Sequence, residues 1–327
     1  MRRRDFVTLL GGAAVVWPLG VNAQEQGIPI IGYLSNGSPE GYAHLVAALR
    51  KGLSESGYVD GRNVTIEFRW ANNQVEKLPE LAADLARRKV AVIVAVGSVD
   101  PAIAAKVATN AIPIVFANGG DPVAAGLVAS FNRPGGNVTG VTGISEGLAG
   151  KQLGLLHEIA PAAKRIGVLV NPTDQLTESG IADVKAVASS IELQIEVVAA
   201  TSVRDIPSAF ASLAQQRVSA LVVLSSPLFI VRRVQLAILS IKYAMPAIYA
   251  FRENAEAGGL LSYGPNTTEV NRQVGIYAAR ILKGEKPTDL PVMQAHTFEF
   301  VVNLQTAGVM GMGIPANVLA RADAVIE

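Results

Sequence analysis

The amino-acid sequence predicts an α/β protein made of two lobes, each with a parallel β-sheet at its core. Short apolar runs rich in β-branched residues alternate with longer stretches of helical periodicity, which is the pattern of repeated strand–helix–strand units. The 327 residues are too many for one domain of the common size, about 100–200 residues. A turn-rich break at 132–137 interrupts the alternation, which then resumes. We therefore expect the chain to cross between two lobes near this break.

Hydrophobic patterns predict the individual strands and helices and indicate which strands are central in a sheet. Residues 29–34 form an apolar run typical of a strand, and 40–56 place their apolar residues on one helical face. Apolar and polar residues alternate over 64–70, which indicates a half-exposed strand near a sheet edge. The unbroken apolar run 90–96 instead indicates a central strand covered by helices on both faces. Further strands are predicted at 112–117, 138–142, 165–170, 193–198, 220–224, 247–250 and 259–263, and a long helix at 268–283.

Composition and charge exclude several classes of protein. Hydrophobic residues make up 50% of the chain and aromatic residues 6%, a balance suited to a large packed core and incompatible with disorder. Lys and Arg number 28 against 27 Asp and Glu, so there is no electrostatic footprint for nucleic acid. Cysteine is absent and the three histidines are scattered. We therefore expect no cofactor, no metal and no nucleic-acid partner.

Residues 1–23 have the organisation of an export signal peptide. Three arginines at positions 2–4 precede an apolar stretch, 7–20, that is too short to span a bilayer as a stable anchor. Small residues at Val21 and Ala23 suit a signal peptidase, so the mature chain would begin at Gln24. Arg3-Arg4-Asp5-Phe6 also resembles a twin-arginine signal. The sequence predicts a periplasmic protein and leaves the export route open.

The loops that follow the strands are the candidate binding site. Several of them carry small or polar residues and then a proline that can occupy the first turn of the next helix. Such loops gather at the carboxyl edge of a parallel sheet, where ligands bind, and two facing edges would form a polar cleft. The predicted ligand-binding residues of these loops are Ser35, Asn36, Ser38, Gly97, Ser98, Asn118, Asp121, Asn171, Ser225 and Ser226.

Two kinds of candidate also have a purely structural interpretation. Asp121, like Asp100, precedes a proline and is a good N-cap residue, so it could simply hold its own helix. Tyr249, Phe251 and Tyr263 lie at or just after later strands and are candidates to stack on an apolar or aromatic solute, with core packing as the alternative.

The chain resembles, almost end to end, the ABC-transporter substrate-binding protein family, whose relatives include aromatic amino acid uptake proteins. The segments that carry the resemblance are 52–58 with 61–63, 112–116, 121–123, 133–140, 258–264, 281–287 and 319–327. The resemblance implies a type I periplasmic binding fold: two Rossmann-like lobes, three interlobe crossings and one ligand held between the lobes. In the family, the loop after the strand equivalent to 220–224 often carries an acidic residue, whereas this chain has Ser225-Ser226-Pro227. An amino acid, an aromatic compound and a carboxylated compound therefore all stay open as solutes.

The family topology also implies how the chain is divided. We expect lobe one to comprise residues 28–140 and 258–290, and lobe two to comprise 141–249 and 298–327. The predicted partners are a small-molecule solute and the permease of an ABC importer in the inner membrane, with the protein itself a monomer. Solute bridging both lobes would bind the closed state better and shift the population toward it.

Two other functions were weighed. Gly143-Ile144-Ser145-Glu146-Gly147 matches a nucleophile elbow, which would make Ser145 a hydrolase nucleophile. His157 falls in the next predicted helix and His296 is the remaining downstream histidine, so a triad in the required order is not evident, and a glycine-containing hinge explains the same residues. We expect no enzymatic activity. A periplasmic sensory module would use the same two lobes and stays open.

Overall fold

Two β-sheets, each flanked by helices, form the cores of the two lobes. The computed structural model describes residues 27–143, 147–295 and 297–327, so the predicted export signal, Ser145 and His296 lie outside the described residues. The first sheet has six strands and the second has seven. This confirms the predicted α/β class with two parallel-sheet cores.

The first sheet and its helices come mostly from the first half of the chain. Its elements are β1 Ile30–Ser35, α1 Ala43–Glu55, β2 Thr65–Trp70, α2 Leu78–Arg87, β3 Val92–Val96, α3 Asp100–Ala108, β4 Ile114–Asn118, β5 Val138–Thr142, α10 Thr267–Leu282 and β11 Met293–Gln294. All pairings in this sheet are parallel. As predicted from their hydrophobic patterns, β3 is central and fully buried, and β2 is the half-exposed edge strand.

The second sheet takes the remaining elements. They are α4 Leu148–Ile159, β6 Arg165–Val170, α5 Thr177–Ser190, β7 Gln194–Ala199, α6 Asp205–Gln215, β8 Ala220–Val223, α7 Pro227–Val231, α8 Arg233–Lys242, β9 Ala247–Tyr249, α9 Arg252–Glu256, β10 Leu261–Pro265, β12 Phe298–Asn303, α11 Leu304–Val309, α12 Ala316–Leu319 and β13 Ala324–Ile326. The sheet is parallel except where β10 pairs antiparallel with β12. The strand order is β11-β5-β4-β3-β1-β2 in the first sheet and β13-β12-β10-β9-β8-β6-β7 in the second.

The chain passes between the sheets at three places in the described residues, which agrees with the expected three crossings. These follow β5, β10 and β11. Sheet membership differs from the expected bounds at two of them. Residues 258–290 are expected in lobe one, but Leu261–Pro265 pairs with β9 and β12 in the second sheet. The strand pairing places this segment in the second lobe, and the chain returns to the first with the following helix α10. The first sheet also keeps all of β5 and gains Met293–Gln294, so it extends beyond 140 and 290.

The prediction that a proline opens each helix after the strand-end loops is correct for two loops and wrong for the others. Pro101 lies in the first turn of α3 and Pro227 begins α7. By contrast, α1 begins at Ala43 and α5 at Thr177, well after Pro39 and Pro172. The intervening residues form turns, and these longer loops carry several of the side chains that reach the space between the lobes.

Helices α1 and α10 cross in direct backbone contact, which fixes the returning segment on the first lobe. A methyl group at Gly275 would collide with the carbonyl oxygen of Leu49, and one at Gly52 with the carbonyl oxygen of Arg272. Only glycine on both helices permits this approach. Among the described residues, none of the helices has the length and hydropathy of a membrane span.

We expect Gly275→Ala to destabilise the protein by about 1–3 kcal/mol, because the added methyl must push two helix backbones apart. The matched control is Gly154→Ala in α4, where no atom lies within 4 Å of the added methyl. That change should be neutral or stabilise by about 0.5–1 kcal/mol, since alanine favours the helix. Thermal and urea unfolding of both variants measures the difference; equal effects would contradict the close crossing.

Candidate ligand-binding site

A cavity of about 140 Å³ lies between the lobes, with walls built by the carboxyl-edge loops of both sheets. Loops after β3, β4 and β5 supply one wall, and loops after β6, β8 and β9 supply the other. The first turns of α10 close one side through Thr267, Val270 and Asn271. The volume is that of roughly ten water molecules at about 10–15 Å³ each, which suits a small organic molecule. The placement follows the rule that parallel sheets bind ligands at their carboxyl ends.

Two buried asparagine side chains in this cavity each leave one polar atom without a protein partner. Asn118, at the end of β4, is 6% exposed; its Oδ1 accepts the Gly120 N–H at 3.2 Å, and its Nδ2 has no partner. Asn271, in α10, is 2% exposed; its Nδ2 donates to the Thr267 carbonyl at 2.9 Å, and its Oδ1 has no partner. The backbone bond at the other end of each amide fixes which atom is free. The cavity therefore offers one neutral donor and one neutral acceptor.

A carboxylate completes the set of unpartnered groups. Asp174 lies in the loop between β6 and α5, is partly buried, and leaves its Oδ2 without a hydrogen bond in the protein. Burial raises the pKa of Asp174, a hydrogen bond with Ser226 opposes that rise, and the nearby Asp100 carboxylate adds to it. A positively charged group placed beside Asp174 would relieve both the burial cost and the repulsion.

The rim around Ser98 is held by a chain of hydrogen bonds. Asn36 Nδ2 donates to Ser98 Oγ at 2.9 Å, and Ser98 Oγ donates to Asp100 Oδ2 at 2.6 Å. Gly97 has a φ of 122°, and a side chain there would collide with Asn36 Oδ1, so the close approach requires glycine. Asn36 thus supports the cavity wall from behind, while Ser98 and Asp100 face the cavity.

One ion pair joins the two lobes across the cavity. His44 on α1 lies with its Nε2 2.8 Å from Oε1 of Glu253 on α9, and both residues line the cavity. Thr267 Oγ1 also donates to the same carboxylate oxygen at 3.1 Å. Burial by itself would raise the pKa of Glu253. The hydrogen bond and charge of His44, together with hydrogen bonds from the Glu253 backbone and Thr267, outweigh it, so the pKa lies below its ordinary value.

Most of the cavity wall is apolar. Leu45, Val99 and Val270 line it from one side, and Leu176, Ile230 and Phe251 from the other. Of the described residues that line the cavity, none is a lysine or an arginine. Nor does the described part of the chain contain three or more His, Asp or Glu placed to hold a metal ion.

The structure brings some of the predicted binding residues together and separates others. Those that line the cavity are Gly97, Ser98, Asn118, Ser225 and Phe251. Those that do not are Ser35, Asn36, Ser38, Asp121, Asn171, Ser226, Tyr249 and Tyr263. For every one of them, contact with a ligand stays a prediction.

The residues outside the cavity have visible structural partners. Ser35 and Ser38 accept N–H groups of their own turn, and Asp121 Oδ1 accepts the N–H groups of Val123 and Ala124 at 2.7 and 3.1 Å, the capping role weighed above. Asn171 Nδ2 donates a hydrogen bond to Ser226 Oγ at 3.4 Å.

The two predicted tyrosines also lie elsewhere. Tyr249 is buried in the core of the second lobe, where its hydroxyl pairs with Ser240 at 3.0 Å and burial raises its pKa to about 12. Tyr263 lines a separate groove beside α4, with its ring stacked near Phe298. The alternation of side chains along a strand turns these rings away from the cavity.

Sequence reasoning missed Asp174, His44, Glu253 and Asn271 as cavity residues. Of these four, Asp174 was the easiest to predict from the sequence, because it lies three residues after Asn171 in a loop that the sequence already indicated as part of the site. Asn271 is a polar residue on the buried face of a helix, an exception that periodicity could have flagged. Nothing in the local sequence singles out His44 or Glu253.

The comparisons with known proteins agree with this geometry. Residues 37–326 match the family model described as ABC transporter substrate binding protein. The chain belongs to this family. A tyrosine-binding protein of Clostridioides difficile is 27% identical over 262 residues, covering 80% of this chain and 75% of the relative.

Solved structures of similar proteins extend the comparison. The ABC domain in complex with L-Trp from Streptococcus pneumonia has a TM-score of 0.83 and 27% identity, covering 92% of this chain and 100% of that one. The ligand-free, open structure of a substrate binding protein with adhesive properties from Clostridium difficile has a TM-score of 0.67 and 28% identity, covering 92% of this chain and 99% of that one. The chain is thus a substrate-binding protein of the ABC-transporter class, built on the type I periplasmic binding fold.

Proposed function

We propose that this protein captures a small, amine-bearing organic solute outside the cytoplasm and presents it to the permease of an ABC importer. The observation that carries the proposal is the interlobe cavity with three unpartnered polar atoms, Asn118 Nδ2, Asn271 Oδ1 and Asp174 Oδ2. A buried polar atom without a hydrogen bond costs about 1–3 kcal/mol. A solute that satisfies all three recovers that cost, which provides a source of affinity. In this proposal the protein acts as a monomer, residues 1–23 direct its export, and no covalent chemistry takes place.

The three atoms define the solute by complementarity. Asp174 and Asn271 accept hydrogen bonds, which suits the several N–H donors of an ammonium group, and Asn118 donates one, which suits an oxygen acceptor. The apolar wall formed by Val99, Ile230 and Phe251 then accommodates a hydrocarbon or aromatic side chain. Amino acids are one class with these features, and the names of the tyrosine- and tryptophan-binding relatives support that class.

We further propose that binding is coupled to closure of the lobes. The His44–Glu253 ion pair connects the lobes directly at the cavity, so separation of the lobes would break it. The higher TM-score to the L-Trp complex than to the ligand-free, open relative supports assigning this arrangement to the closed state. Solute held by both walls would favour that state by its difference in affinity for the two.

A thermal-shift screen of the mature protein across amino acids, amines, aromatic acids and nucleosides tests the solute class. A ligand that binds the folded state raises the melting temperature by mass action. We expect amine-bearing compounds to raise it and amine-free acids and nucleosides to leave it unchanged. Small-angle scattering at saturation with a hit should show a smaller radius of gyration than the free protein. Stabilisation confined to amine-free compounds would count against the proposal.

We expect His44→Gln to weaken solute binding by roughly two- to fivefold, the effect of removing a partly exposed ion pair. The change should also raise the radius of gyration of the free protein, because the closed state loses an interlobe contact. Arg280→Gln is the control, since the Arg280–Glu285 pair at 2.7 Å lies wholly within the first lobe. Titration calorimetry and scattering measure both effects. Identical behaviour of the two variants would show that the His44–Glu253 pair does not stabilise the closed state.

A further inference from the structure

We infer that the preferred solute of this cavity carries a net positive charge: an organic amine with a neutral oxygen acceptor in place of a free carboxylate. The inference rests on the proposed function and narrows its solute class. It starts from the charges that face the cavity. Three carboxylates, Asp100, Asp174 and Glu253, line it against one histidine, His44, which is already paired with Glu253. Unlike charges attract and like charges repel most strongly where water is excluded, so this wall favours a cation and opposes an anion.

One common means of holding a solute carboxylate is missing and another is largely occupied. None of the described cavity residues is an arginine or lysine, which would pair with a carboxylate directly. Helix N-termini can also hold anions. Four helices of eight or more residues have N-cap or first-turn residues in the cavity lining: α1, α3, α5 and α10. Asp100, Glu178 and Glu269 lie in the first turns of α3, α5 and α10. The first turn of α1 has no acidic residue, and its His44 is paired with Glu253. At the start of α10, Asn266 Oδ1 also accepts the Glu269 N–H at 2.8 Å.

Two buried asparagines are a second observation, besides the three carboxylates, that indicates a ligand in this cavity. Asn271 is 2% exposed and Asn118 is 6% exposed, yet each leaves an atom in the cavity lining without a protein partner. Asn271 Oδ1 adds a further acceptor beside the carboxylates, which again selects for N–H donors. Asn118 Nδ2 is one neutral donor, which matches a single carbonyl or hydroxyl oxygen. A solute carboxylate at that position would face three anionic groups, and none of the described cavity residues is a lysine or an arginine that could pair with it.

The burial and charge around Asp174 agree with this assignment. Burial raises its pKa and the Asp100 carboxylate raises it further, so the protein groups around the cavity do not fully stabilise the negative charge of Asp174. Tyr42, between the lobes, is also affected: burial, then the charges of Asp174 and Glu253, raise its pKa. A monocation neutralises this excess, whereas a zwitterion brings a second anion with it.

A matched series of ligands separates charge from shape. Tyrosine, tyrosinamide, tyramine and 3-(4-hydroxyphenyl)propionate share one ring, and the corresponding leucine series replaces the ring with an aliphatic group. The amide keeps the amine and the oxygen acceptor and removes only the negative charge. Titration calorimetry of the mature protein at neutral pH should give the amide at least tenfold tighter binding than its amino acid in the series that binds. The amine that lacks the amide group should fall between them, and the amine-free acid should not bind.

The outcomes distinguish this inference from the proposed function. Equal or tighter binding of the amino acid than of its amide would overturn the inference and leave an amine-binding receptor intact. Failure of every member of both series to bind would overturn both. The Asp174→Asn variant adds a second readout: it should reduce the preference for amide over amino acid, whereas Asp289→Asn, an exposed carboxylate outside the cavity, should preserve it. An unchanged preference in Asp174→Asn would also contradict the inference.

Discussion

Asp174→Asn is expected to weaken binding of an amine solute by roughly 5- to 15-fold. The variant replaces a charge-assisted hydrogen bond, worth about 1.5–3 kcal/mol, with a neutral one worth about 0.5–1.5 kcal/mol. Asp174 Oδ2 has no partner in the protein, and the amide oxygen of asparagine can still accept the hydrogen bond of Ser226, so the loss should fall on the ligand complex. Titration calorimetry with the tightest amine found in the screen measures the change.

The unliganded fold should tolerate this substitution. Burial raises the pKa of Asp174, which means that folding disfavours its ionised form, so removing the charge should maintain or raise the melting temperature at neutral pH. Asp289→Asn makes the same chemical change on an exposed turn and should alter neither quantity. If Asp174→Asn lowered the melting temperature and left binding unchanged, the residue would be structural and the proposed site wrong.

Solute affinity is expected to fall as the pH is lowered, starting above the ordinary carboxyl pKa of 3.8. Burial and the Asp100 carboxylate raise the pKa of Asp174, so it takes up a proton at higher pH than a free aspartate, and the neutral acid no longer attracts an ammonium group. Below the raised pKa, one competing proton weakens binding by about tenfold per pH unit. Calorimetry from neutral pH downward measures the slope.

The Asp174→Asn variant shows whether Asp174 causes this loss of affinity. In Asp174→Asn the acid-side loss of affinity should disappear. A slope that persists in this variant would assign the effect to a group other than Asp174.

Local sequence patterns predicted the strands and some of the residues that line the cavity. The continuous apolar run at β3 indicates burial on both faces, and the alternation at β2 indicates burial on one face. The central position of β3 and the edge position of β2 therefore followed from local pattern alone. Gly97, Ser98, Asn118 and Ser225 follow strands directly, and the geometry of a parallel sheet brings such positions to one edge.

The fold class, the order of the strands along the chain and several loop residues of the cavity wall follow from the amino-acid sequence. Which other groups face the cavity depends on the tertiary structure. Asp174 and Asn271 are 97 residues apart along the chain, and His44 and Glu253 are 209 apart, yet each pair lines the same cavity. Hydrophobic periodicity reports the burial of a residue relative to its own element, whereas a cleft between two lobes depends on how α1, α9 and α10 are placed against each other. The charge of the cavity, and with it the expected class of solute, therefore appeared only once the lobes were in contact.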